Sequence, residues 1–450
     1  MRMTSLPRAV LGNPHWRLDP SFHLQQENIE SLVSADTPAH ASLGDLVSEI
    51  LDGARLPSAQ SGIPILRLSN LRACDIDFND LGYVRGDTGE SWPKVRSGDV
   101  VFARSASPFR AAVVEPDCPS PLTVSPEIAV LRPLPAVLPE YLAAVLSTSA
   151  YARVLNDLSY KGRRSALQRL TTADLKRLPI PLPARSVQQE IAAAYEQAVH
   201  LSMQAQKEMS SVVRSVHREI DTRAQFPDSP SHRMVVRRSS LQDRWDVSYV
   251  KSRQFRSQLA SNLMIPILDL ARCVPSSLRG IDEDEVVWGI HAEDVNRWTF
   301  LVEGAETHKL ADLSARMRQP LSAGDVLLCT TGSGQQIAYL DETLTARGIP
   351  ILGSATFTAL RFRETPRFYA IALSHPVVRR QLELLSAGTI QRFVNKRDLD
   401  ELLVPSLGIV WREDFETRLL RAMQRRRGAL AARTRLLAVA EEFVRKGLDS

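Results

Sequence analysis

The chain carries one stretch twice, as "LQRLTTADLKRLPIPLP" at residues 167–183 and as "IQRFVNKRDLDELLVPSL" at residues 390–407. Each version has a Gln-Arg pair, a short polar segment with an aspartate, and an apolar exit that contains proline. Internal similarity of this kind is the sequence signature of a repeated structural unit. The stretch therefore indicates that the chain contains two divergent copies of one unit.

Other pairs of segments recur in the same order and at nearly the same spacing of about 226 residues. They are "WRLDPSF" (16–22) with "DRWDVSY" (243–249), "SGDVVFARSAS" (97–107) with "AGDVLLCTTGS" (323–333), and "PEYLAAVLSTSAYARVL" (139–155) with "PRFYAIALSHPVVRRQL" (366–382). Several landmarks in one order at one spacing exclude a chance resemblance. The Arg-x-Asp element at the start of each copy is interpreted as a structural salt link.

Each copy reads as a strand-rich unit followed by a long helix. Short apolar runs such as "GDVVFAR" are broken by Gly, Pro, Asn and Asp, which favours strands and turns over long helices. After each exit, apolar residues recur every seven positions, a spacing typical of paired helices. They are Ile191, Ala198, Ala205 and Val212 in the first helix, flanked by Leu201, and Met423, Leu430, Leu437 and Val444 in the second.

We therefore predict an α+β fold with two tandem strand-rich domains, each followed by a long helix. The predicted domains are 1–184 and 241–408, the helices 185–225 and 409–450, and the linker 226–240. We expect the two helices to pair as an antiparallel coiled coil, with Ile191, Ala198, Leu201, Met423, Leu430 and Leu437 at the contact. The alternative is that each helix lies on its own domain.

Composition excludes several classes of protein. The formal net charge of +5 permits a nucleic-acid partner without requiring one. Four dispersed cysteines without a C-x-x-C pair indicate neither a zinc site nor a disulfide framework. No window approaches the roughly 20 apolar residues of a membrane span. We expect a cytoplasmic protein without a bound metal.

No catalytic motif is recognisable in the sequence. It has no phosphate-binding G-x-x-x-x-G-K-[ST] loop and no H-E-x-x-H arrangement. A methyltransferase that acts on an amino group would need an Asn-Pro-Pro-Tyr or Asp-Pro-Pro-Tyr element to hold the target amine, and this element is also missing. The acidic run at 282–285 is interpreted as a solvated turn. We expect a chain that is not an enzyme and has no catalytic residues, although a site assembled from distant residues stays an alternative.

Taken in order, these elements resemble the DNA-specificity subunits of type I restriction-modification systems. In that family each target recognition domain ends in a run similar to L-x-x-I-x-I-P-L-P-P-L-x-E-Q-x-x-I. Here the pattern is matched by Leu175, Leu178, Ile180, Pro181, Leu182, Pro183, Gln189 and Ile191. The sequence departs from it at Ala184 and Arg185, and the second exit lacks the Glu-Gln pair. The resemblance covers nearly the whole chain.

The resemblance implies a subunit that reads a bipartite target in double-stranded DNA and performs no chemistry itself. Its partners would be adenine methyltransferase subunits, which would hold S-adenosylmethionine, and possibly a restriction subunit. This chain would then need no cofactor. Division of labour of this kind fits the general rule that base edges carry the sequence information while phosphate contacts fix position.

Two kinds of loop are the candidate DNA contacts in each copy. The loop "YKGRRSALQRL" (160–170) supplies Lys161, Arg163, Arg164, Gln168 and Arg169, and its counterpart supplies Gln391, Arg392 and Lys396. The hairpin after the Gly-Asp element supplies Arg104 and Arg110 in the first copy and Thr330, Thr331, Ser333, Gln335 and Gln336 in the second. We predict that the Gln-Arg pairs occupy equivalent positions. Glutamine and arginine are side chains that pair with adenine and guanine, although both also serve phosphates.

Two other functions remain open at this point. A coiled-coil adaptor would use its strand-rich units to bind proteins, and its binding would not depend strongly on salt. A nuclease or other effector of a defence system would show turnover without partners. The basic run Arg425–Arg427 is interpreted as a solvated or partner-facing helix face, with phosphate binding along that helix as the alternative.

Overall fold

The structure is a computed structural model, and it describes most of the chain. The described residues are 40–85, 92–105, 109–152, 155, 169–224, 226, 247–259, 263–277, 282, 284–304, 306–314, 316–331, 336–346, 348–386 and 393–449. The Arg-x-Asp elements at Arg17 and at Arg244, the linker and part of each candidate loop lie outside this range.

The chain divides into two compact units, and their residue ranges differ from those of the domains predicted from the sequence. The first unit takes the residues up to Ser202 together with those from Ala429 onward, and the second takes Met203–Gly428. Each long helix therefore contributes one segment to the first unit and another to the second. The predicted domains did not anticipate that sharing.

The first unit is built from short strands and a few helices. Its strands are β1 (His40–Ser42), β2 (Val47–Asp52), β3 (Ser58–Ala59), β4 (Ile63–Leu66), β5 (Leu71–Arg72), β6 (Asp75–Ile76), β7 (Gly82–Val84), β8 (Val100–Ala103), β9 (Ala111–Val113), β10 (Thr123–Val124), β11 (Ile128–Pro133) and β12 (Pro179–Pro181). Its helices are α1 (Leu43–Leu46), α2 (Pro139–Leu146) and α3 (Thr172–Lys176), and the long helix α4 (Arg185–Arg223) begins in it. Short 3-10 turns lie at Leu68–Asn70 and Phe78–Asp80.

The second unit repeats this plan. Its strands are β13 (Met264–Pro266), β14 (Ala271–Cys273), β15 (Val286–Ile290), β16 (Val295–Asn296), β17 (Leu301–Val302), β18 (Glu306–Lys309), β19 (Met317–Leu321), β20 (Asp325–Cys329), β21 (Ile337–Tyr339), β22 (Ile351–Ser354), β23 (Phe357–Phe362) and β24 (Leu403–Pro405). Its helices are α5 (Val247–Leu259), α6 (Ile267–Leu270), α7 (Glu342–Thr345), α8 (Pro366–Leu373) and α9 (Pro376–Leu385), and the long helix α10 (Ile409–Asp449) begins in it. Its 3-10 turns are Ala292–Asp294, Leu310–Asp312 and Lys396–Glu401.

Both units contain the same central sheet. In the first unit the strand order of this sheet is β2-β11-β8-β9. In the second unit the corresponding sheet starts with the order β14-β23-β20-β21. A second sheet in each unit contains one parallel pair, β4 with β10 and β15 with β22. The α+β class and the internal duplication predicted from the sequence are confirmed by this repeated topology.

The apolar runs after each Gly-Asp element form strands that are buried on both faces. In β8, Val100 and Phe102 face the core formed with the helices, whereas Val101 and Ala103 face the core between the two sheets. In β20, Val326 and Leu328 face the core formed with the helices. Leu327 and Cys329 face the core between the two sheets. A strand covered on both sides reads as a continuous apolar run, which is what the sequence shows.

The Gly-Asp element itself is a turn fixed by an ion pair. Asp99 accepts hydrogen bonds from Arg132 at 3.0 and 3.2 Å and from the Arg96 backbone N–H at 2.9 Å. Asp325 accepts equivalent bonds from Arg361 at 2.7 and 2.9 Å and from the Ser322 N–H at 2.8 Å. Both aspartates are buried. The recurring Gly-Asp is therefore a structural device of the fold.

The glycine of this turn is required by its backbone conformation. Gly324 has φ of +88°, and a Cβ added there would meet no other atom within 4 Å. Gly324→Ala is therefore expected to lower the free energy of unfolding by about 1 kcal/mol through backbone strain alone. Gly428 lies in the exposed middle of α10, and a Cβ added there would also meet no atom within 4 Å. Gly428→Ala should therefore raise the free energy of unfolding by up to about 1 kcal/mol, because alanine favours the helix. Urea unfolding of the two variants measures both effects, and equal stability of both would contradict the assignment.

The proline-bearing exits close each unit in the same way. Strand β12 pairs antiparallel with β1, and β24 pairs antiparallel with β13. The hydroxyl of Tyr141 on α2 donates to the Pro181 carbonyl at 2.7 Å, and Tyr369 on α8 bonds Ser406 at 2.8 Å. The second exit, although degenerate in sequence, therefore forms the same ribbon before its long helix.

The long helices are present, and segments of both pack in the core of each unit. In the second unit the guanidinium of Arg223 lies over Trp411, Arg418 bonds Ser215 at 3.4 Å, and Arg425 pairs with Glu208 at 2.8 Å. Across these three contacts the residue numbers fall on α4 as they rise on α10, so the segments run antiparallel. In the first unit, Ser202 and Arg433 meet at the carboxylate of Asp75, at 2.9 and 3.6 Å.

The buried faces of the helices differ in part from the predicted heptads. On α4 the predicted Ile191 and Ala198 are buried, while Leu201 is half-buried at the edge of the core. The buried residues of α4 are Gln188, Ile191, Ala192, Tyr195, Ala198, Ser202, Ala205, Met209, Val212, Val216 and Ile220. On α10 the predicted Met423 and Val444 are buried, whereas the predicted Leu430 and Leu437 are half-buried. Between the two buried ends of this series, the neighbouring Ala429 and Leu436 are buried instead, one residue before the predicted positions.

None of the helices within the described residues combines the length and apolarity needed to cross a membrane. The four cysteines are free, with Cys74 and Cys329 buried and the other two half-buried. Burial raises the pKa of the Cys74 thiol to about 12, which keeps that group protonated at neutral pH.

Candidate nucleic-acid interface

In the first unit, the two candidate loops meet at one edge of the central sheet. The backbone N–H of Leu170 donates to the carbonyl of Arg104 at 3.0 Å. The Nε of Arg104 donates back to the Leu170 carbonyl at 3.1 Å. These two bonds join the end of the loop before α3 to the hairpin between β8 and β9. Residues that are 66 positions apart in sequence thus form one surface.

The second unit joins its two loops in the same way. The N–H of Val394 donates to the carbonyl of Thr330 at 2.8 Å, and Thr331 forms a bridge with Phe393. A third segment joins the same edge in both units. The N–H of Thr330 donates to the Thr356 carbonyl at 2.9 Å, as the N–H of Arg104 does to that of Glu127. The edge is therefore a repeated structural feature.

These bonds correct the predicted equivalence of the two Gln-Arg pairs. They align Leu170 with Val394, and both residues are buried. Arg169 therefore corresponds to Phe393, which is 43% exposed, and not to Arg392. The prediction was wrong by one residue because the second copy has one more residue between its glutamine and the buried apolar position. An exposed aromatic ring thus lies in the second unit where the first has a guanidinium.

Arg104 does not present a free charge at this edge. Its side chain is 5% exposed and forms a salt bridge with Asp52. Burial acts to raise the pKa of Asp52, but hydrogen bonds from Thr172 and Arg104, with the charges of Arg104 and Arg169, outweigh it and lower that pKa. The carboxylate thus stays ionised and neutralises Arg104. Burial and pairing with Asp52 favour a structural role for Arg104 over a direct contact with DNA.

Arg110 and Arg169 are placed nearer to solvent. Arg110 is half-buried and donates to the Leu71 carbonyl at 3.1 Å. Arg169 is exposed, and its Nη2 donates to the Pro126 carbonyl at 2.9 Å. A guanidinium carries five N–H donors, so this one bond anchors Arg169 and leaves donors for a ligand.

The hairpin of the second unit is polar and mostly uncharged. Thr330, which corresponds to Arg104, is buried, and its hydroxyl donates to the Thr356 carbonyl at 3.3 Å. Thr331 and Gln336 are half-buried at the two ends of the described hairpin. The two edges therefore share their backbone connections and differ in the chemistry that they present.

Several predicted contact residues lie outside the described residues: Lys161, Arg163, Arg164, Gln168, Ser333, Gln335, Gln391 and Arg392. Lys396 begins the 3-10 turn Lys396–Glu401, but its side chain also lies outside the description. For these residues DNA contact stays a prediction.

The basic run on α10 is largely engaged within the second unit. Arg426 is buried and pairs with Glu303, while Arg427 pairs with Asp341 at 2.5 Å. Arg425 is 66% exposed at its side chain and pairs with Glu208. The interpretation of this run as a solvated face is wrong for Arg426, because its guanidinium is buried against the strands of its own unit.

A cluster that the sequence did not indicate lies between α4 and α9. His217 contacts the hydroxyl of Ser374 at 3.1 Å, and His375 contacts Asp221 at 3.1 Å. A serine beside a histidine is the pattern of an activated nucleophile. Here Ser374 is 4% exposed and donates its own proton to the Ile371 carbonyl at 2.7 Å, which assigns it a structural role. Among the described residues, no group of three or more potential metal ligands is positioned to hold an ion.

Comparisons with solved structures find 22 similar chains, among them the following three. An HsdS subunit from Thermoanaerobacter tengcongensis shares 14% identity, with 92% of this chain and 97% of that one covered and a TM-score of 0.29. The S subunit of a type I restriction-modification system from M. genitalium shares 12% identity over 92% of this chain and 97% of that one, with a TM-score of 0.36. A chain from a study of complex assembly in the type I R-M system shares 14% identity over 92% and 98%, with a TM-score of 0.29.

No protein-family model and no curated protein sequence matches the chain.

Proposed function

We propose that this chain is a non-catalytic DNA-recognition subunit that reads a bipartite duplex target. One observation carries the proposal: the two units build the same loop-bearing edge by the same backbone hydrogen bonds and place different side chains on it. A repeated scaffold with different contact residues is what two different half-sites require. The resemblance of the repeated motifs to those of type I specificity subunits supports the same conclusion.

The chemistry of the two edges suits different readings of DNA. The first edge presents Arg110 and Arg169, with Lys161, Arg163 and Arg164 nearby in sequence. The second presents Thr331, Gln336 and the exposed ring of Phe393. Arginine pairs bidentately with guanine and with phosphate, whereas glutamine and threonine suit other base edges and apolar side chains contact the thymine methyl group. We infer that the first unit uses more charge than the second.

Partner subunits belong to this proposal. Methylation of adenine would be performed by methyltransferase subunits carrying S-adenosylmethionine, with a restriction subunit as a further partner and the cytoplasm as the location. The start of α10 suits such a contact, since Ile409 is 43% and Val410 75% exposed. Apolar side chains exposed side by side are typical of surfaces that a partner covers.

Neutralising the loop of the first unit tests the proposal. In the variant Lys161→Gln/Arg163→Gln/Arg164→Gln, we expect weaker binding to duplex DNA and a smaller dependence of log Kd on log salt. Each lost phosphate contact should lower that slope by about one. Fluorescence anisotropy with a labelled duplex at several salt concentrations measures both quantities. Unchanged affinity and slope would show that the cluster is only a solvated surface.

The two alternatives predict other outcomes. A protein-binding adaptor would bind duplex DNA weakly and without a steep salt dependence. A nuclease or other effector would turn over DNA as the purified chain without partners, which would overturn the non-catalytic assignment. Selection of bound duplexes from a random pool distinguishes these functions further. Two short motifs separated by a fixed gap are expected only from a protein that reads a bipartite target.

A further inference from the structure

The first unit contains a cleft that none of the predicted contacts occupies. It measures about 330 Å³ and opens beside the end of β10, next to the loop-bearing edge. Its polar lining residues are Arg55, Ser58, Arg67, Ser69, Ser125 and Glu127. Pro126, whose carbonyl accepts the hydrogen bond from Arg169, also lines it. Three guanidinium groups therefore lie in or beside one small cleft.

The two arginines of the cleft have no competing role in the described structure. Both are exposed, and neither forms an ion pair with another described residue. The guanidinium of Arg67 lies against Gly82 of β7, where an added Cβ would come within 2.5 Å of Nη2. Glycine thus makes room for this guanidinium beside the backbone. The fold thus positions this side chain, and no residue in the described part of the chain forms an ion pair with it.

A buried serine hydroxyl in the same cleft lacks a hydrogen-bond partner among the described residues. Ser125 is 6% exposed, and its Oγ has no hydrogen-bond partner in the described part of the chain. The corresponding serine of the second unit, Ser354, accepts bonds from the N–H and the hydroxyl of Thr356, at 3.3 and 3.1 Å. In the first unit Glu127 replaces that threonine. An unsatisfied buried hydroxyl costs about 1–3 kcal/mol, which a ligand oxygen at this position would recover.

The correspondence of the two serines follows from strand pairing. Val124, just before Ser125, pairs with Leu66 in parallel, as Gly353, just before Ser354, pairs with Ile290. The residue after Leu66 is Arg67, and the residue after Ile290 is His291. The same place in the fold therefore carries an arginine and an open hydroxyl in one unit, and a histidine and a satisfied hydroxyl in the other.

We propose that this cleft binds one phosphate group of a nucleic-acid strand, with Arg55 and Arg67 pairing to its oxygens and the Ser125 hydroxyl donating to one of them. This inference rests on the proposed DNA-binding function and deepens it. Two guanidinium charges exceed the single carboxylate of Glu127, so the cleft favours an anion. Phosphate is the anion that a strand running along the adjacent edge presents. The contact belongs to the first unit only, which makes the two half-sites unequal in phosphate contacts.

Single substitutions in the full chain test the cleft. We expect Arg55→Gln and Arg67→Gln each to weaken binding to all duplex sequences by a similar factor and to lower the salt slope by about one. Ser125→Ala should weaken binding several-fold without changing the slope, because a hydroxyl releases no counterion. Lys207→Gln, which removes one exposed charge from α4, is the matched control and should keep the wild-type slope. Unfolding midpoints close to that of the wild type establish that each variant is folded.

The outcomes separate this proposal from the broader one. If both arginine variants keep wild-type affinity and slope, the cleft does not bind phosphate. If their loss of affinity depends strongly on the duplex sequence, the cleft reads bases and the phosphate assignment is overturned. If the wild-type chain binds no DNA, the proposed function fails, and the cleft is then judged with inorganic phosphate. Phosphate should raise the unfolding temperature of the wild type more than that of Arg67→Gln, and equal shifts would reject the site.

Discussion

Replacing Arg426 with alanine is expected to lower the free energy of unfolding of the second unit by about 3–5 kcal/mol. Arg426 and Glu303 are 4% and 6% exposed at their side chains and form two hydrogen bonds of 2.8 Å. Glu303 also accepts from Thr299 at 2.8 Å and from Asn296 at 3.1 Å. Removing the guanidinium leaves a buried carboxylate without its counter-charge, and the loss of one partner from a buried ion pair costs about 3–5 kcal/mol.

The neighbouring residue supplies the control. Arg425→Ala removes the same type of side chain from the same helix, but its side chain is 66% exposed and pairs with Glu208 at 2.8 Å. An exposed ion pair contributes about 0–1 kcal/mol, so this variant should unfold close to the wild type. Arg426→Lys keeps the charge and loses the two-pronged geometry, and should fall between the two. Urea unfolding of the three variants measures the order, and equal stability of the two alanine variants would show that the buried pair contributes nothing.

The contrast between Arg425 and Arg426 illustrates what the sequence left open. Three consecutive arginines look alike in the sequence, and their different environments depend on partners such as Glu303, which lies 123 residues away. The same reason explains the register of α10. Leu430 is more apolar than Ala429, and Leu436 and Leu437 are identical in type, so residue type does not select the buried positions. The helix buries Ala429 and Leu436, which lie on the same face as the buried Arg426 and other small residues. Residue type predicts a buried face poorly when alanine and arginine occupy it.

The repeated elements were predictable because they are local. The Gly-Asp turn and the doubly buried strand after it depend on a positive φ and on a short apolar run, both of which leave a sequence signal. The α+β class and the two long helices followed from such signals.

The surface chemistry was predictable only in part. The sequence identified the two loops that meet at the edge, but not that Arg104 is neutralised by Asp52. It also did not indicate the cleft of Arg55, Arg67 and Ser125, because those residues come together only through strand pairing.

Acidification should destabilise the second unit through the two histidines between α4 and α9. Burial, with a smaller contribution from the charge of His375, lowers the pKa of His217 to about 4. The hydrogen bond from its ring to the Ile371 carbonyl raises this pKa, but burial outweighs it. Burial also lowers the pKa of His375, against the opposing effect of Asp221. The rings lie 4.9 Å apart, with Arg379 as a further positive charge acting on His217. His375 also accepts the Val377 N–H at the start of α9 through Nδ1, at 3.3 Å, so protonation would remove that helix cap.

The sign of the pH effect follows from the direction of these shifts. The pKa of His217 falls from 6.5 in the unfolded chain to about 4 in the folded one, so between these values the unfolded chain binds the extra proton. Stability is therefore complete above about pH 6.5 and is lost as the pH falls toward 4, by about 3 kcal/mol for His217. His217→Gln should flatten this dependence, whereas His200→Gln, at an exposed position of the same helix, should leave it unchanged. Urea unfolding of the three proteins at several pH values tests this, and an equal slope for all of them would exclude His217 as its source.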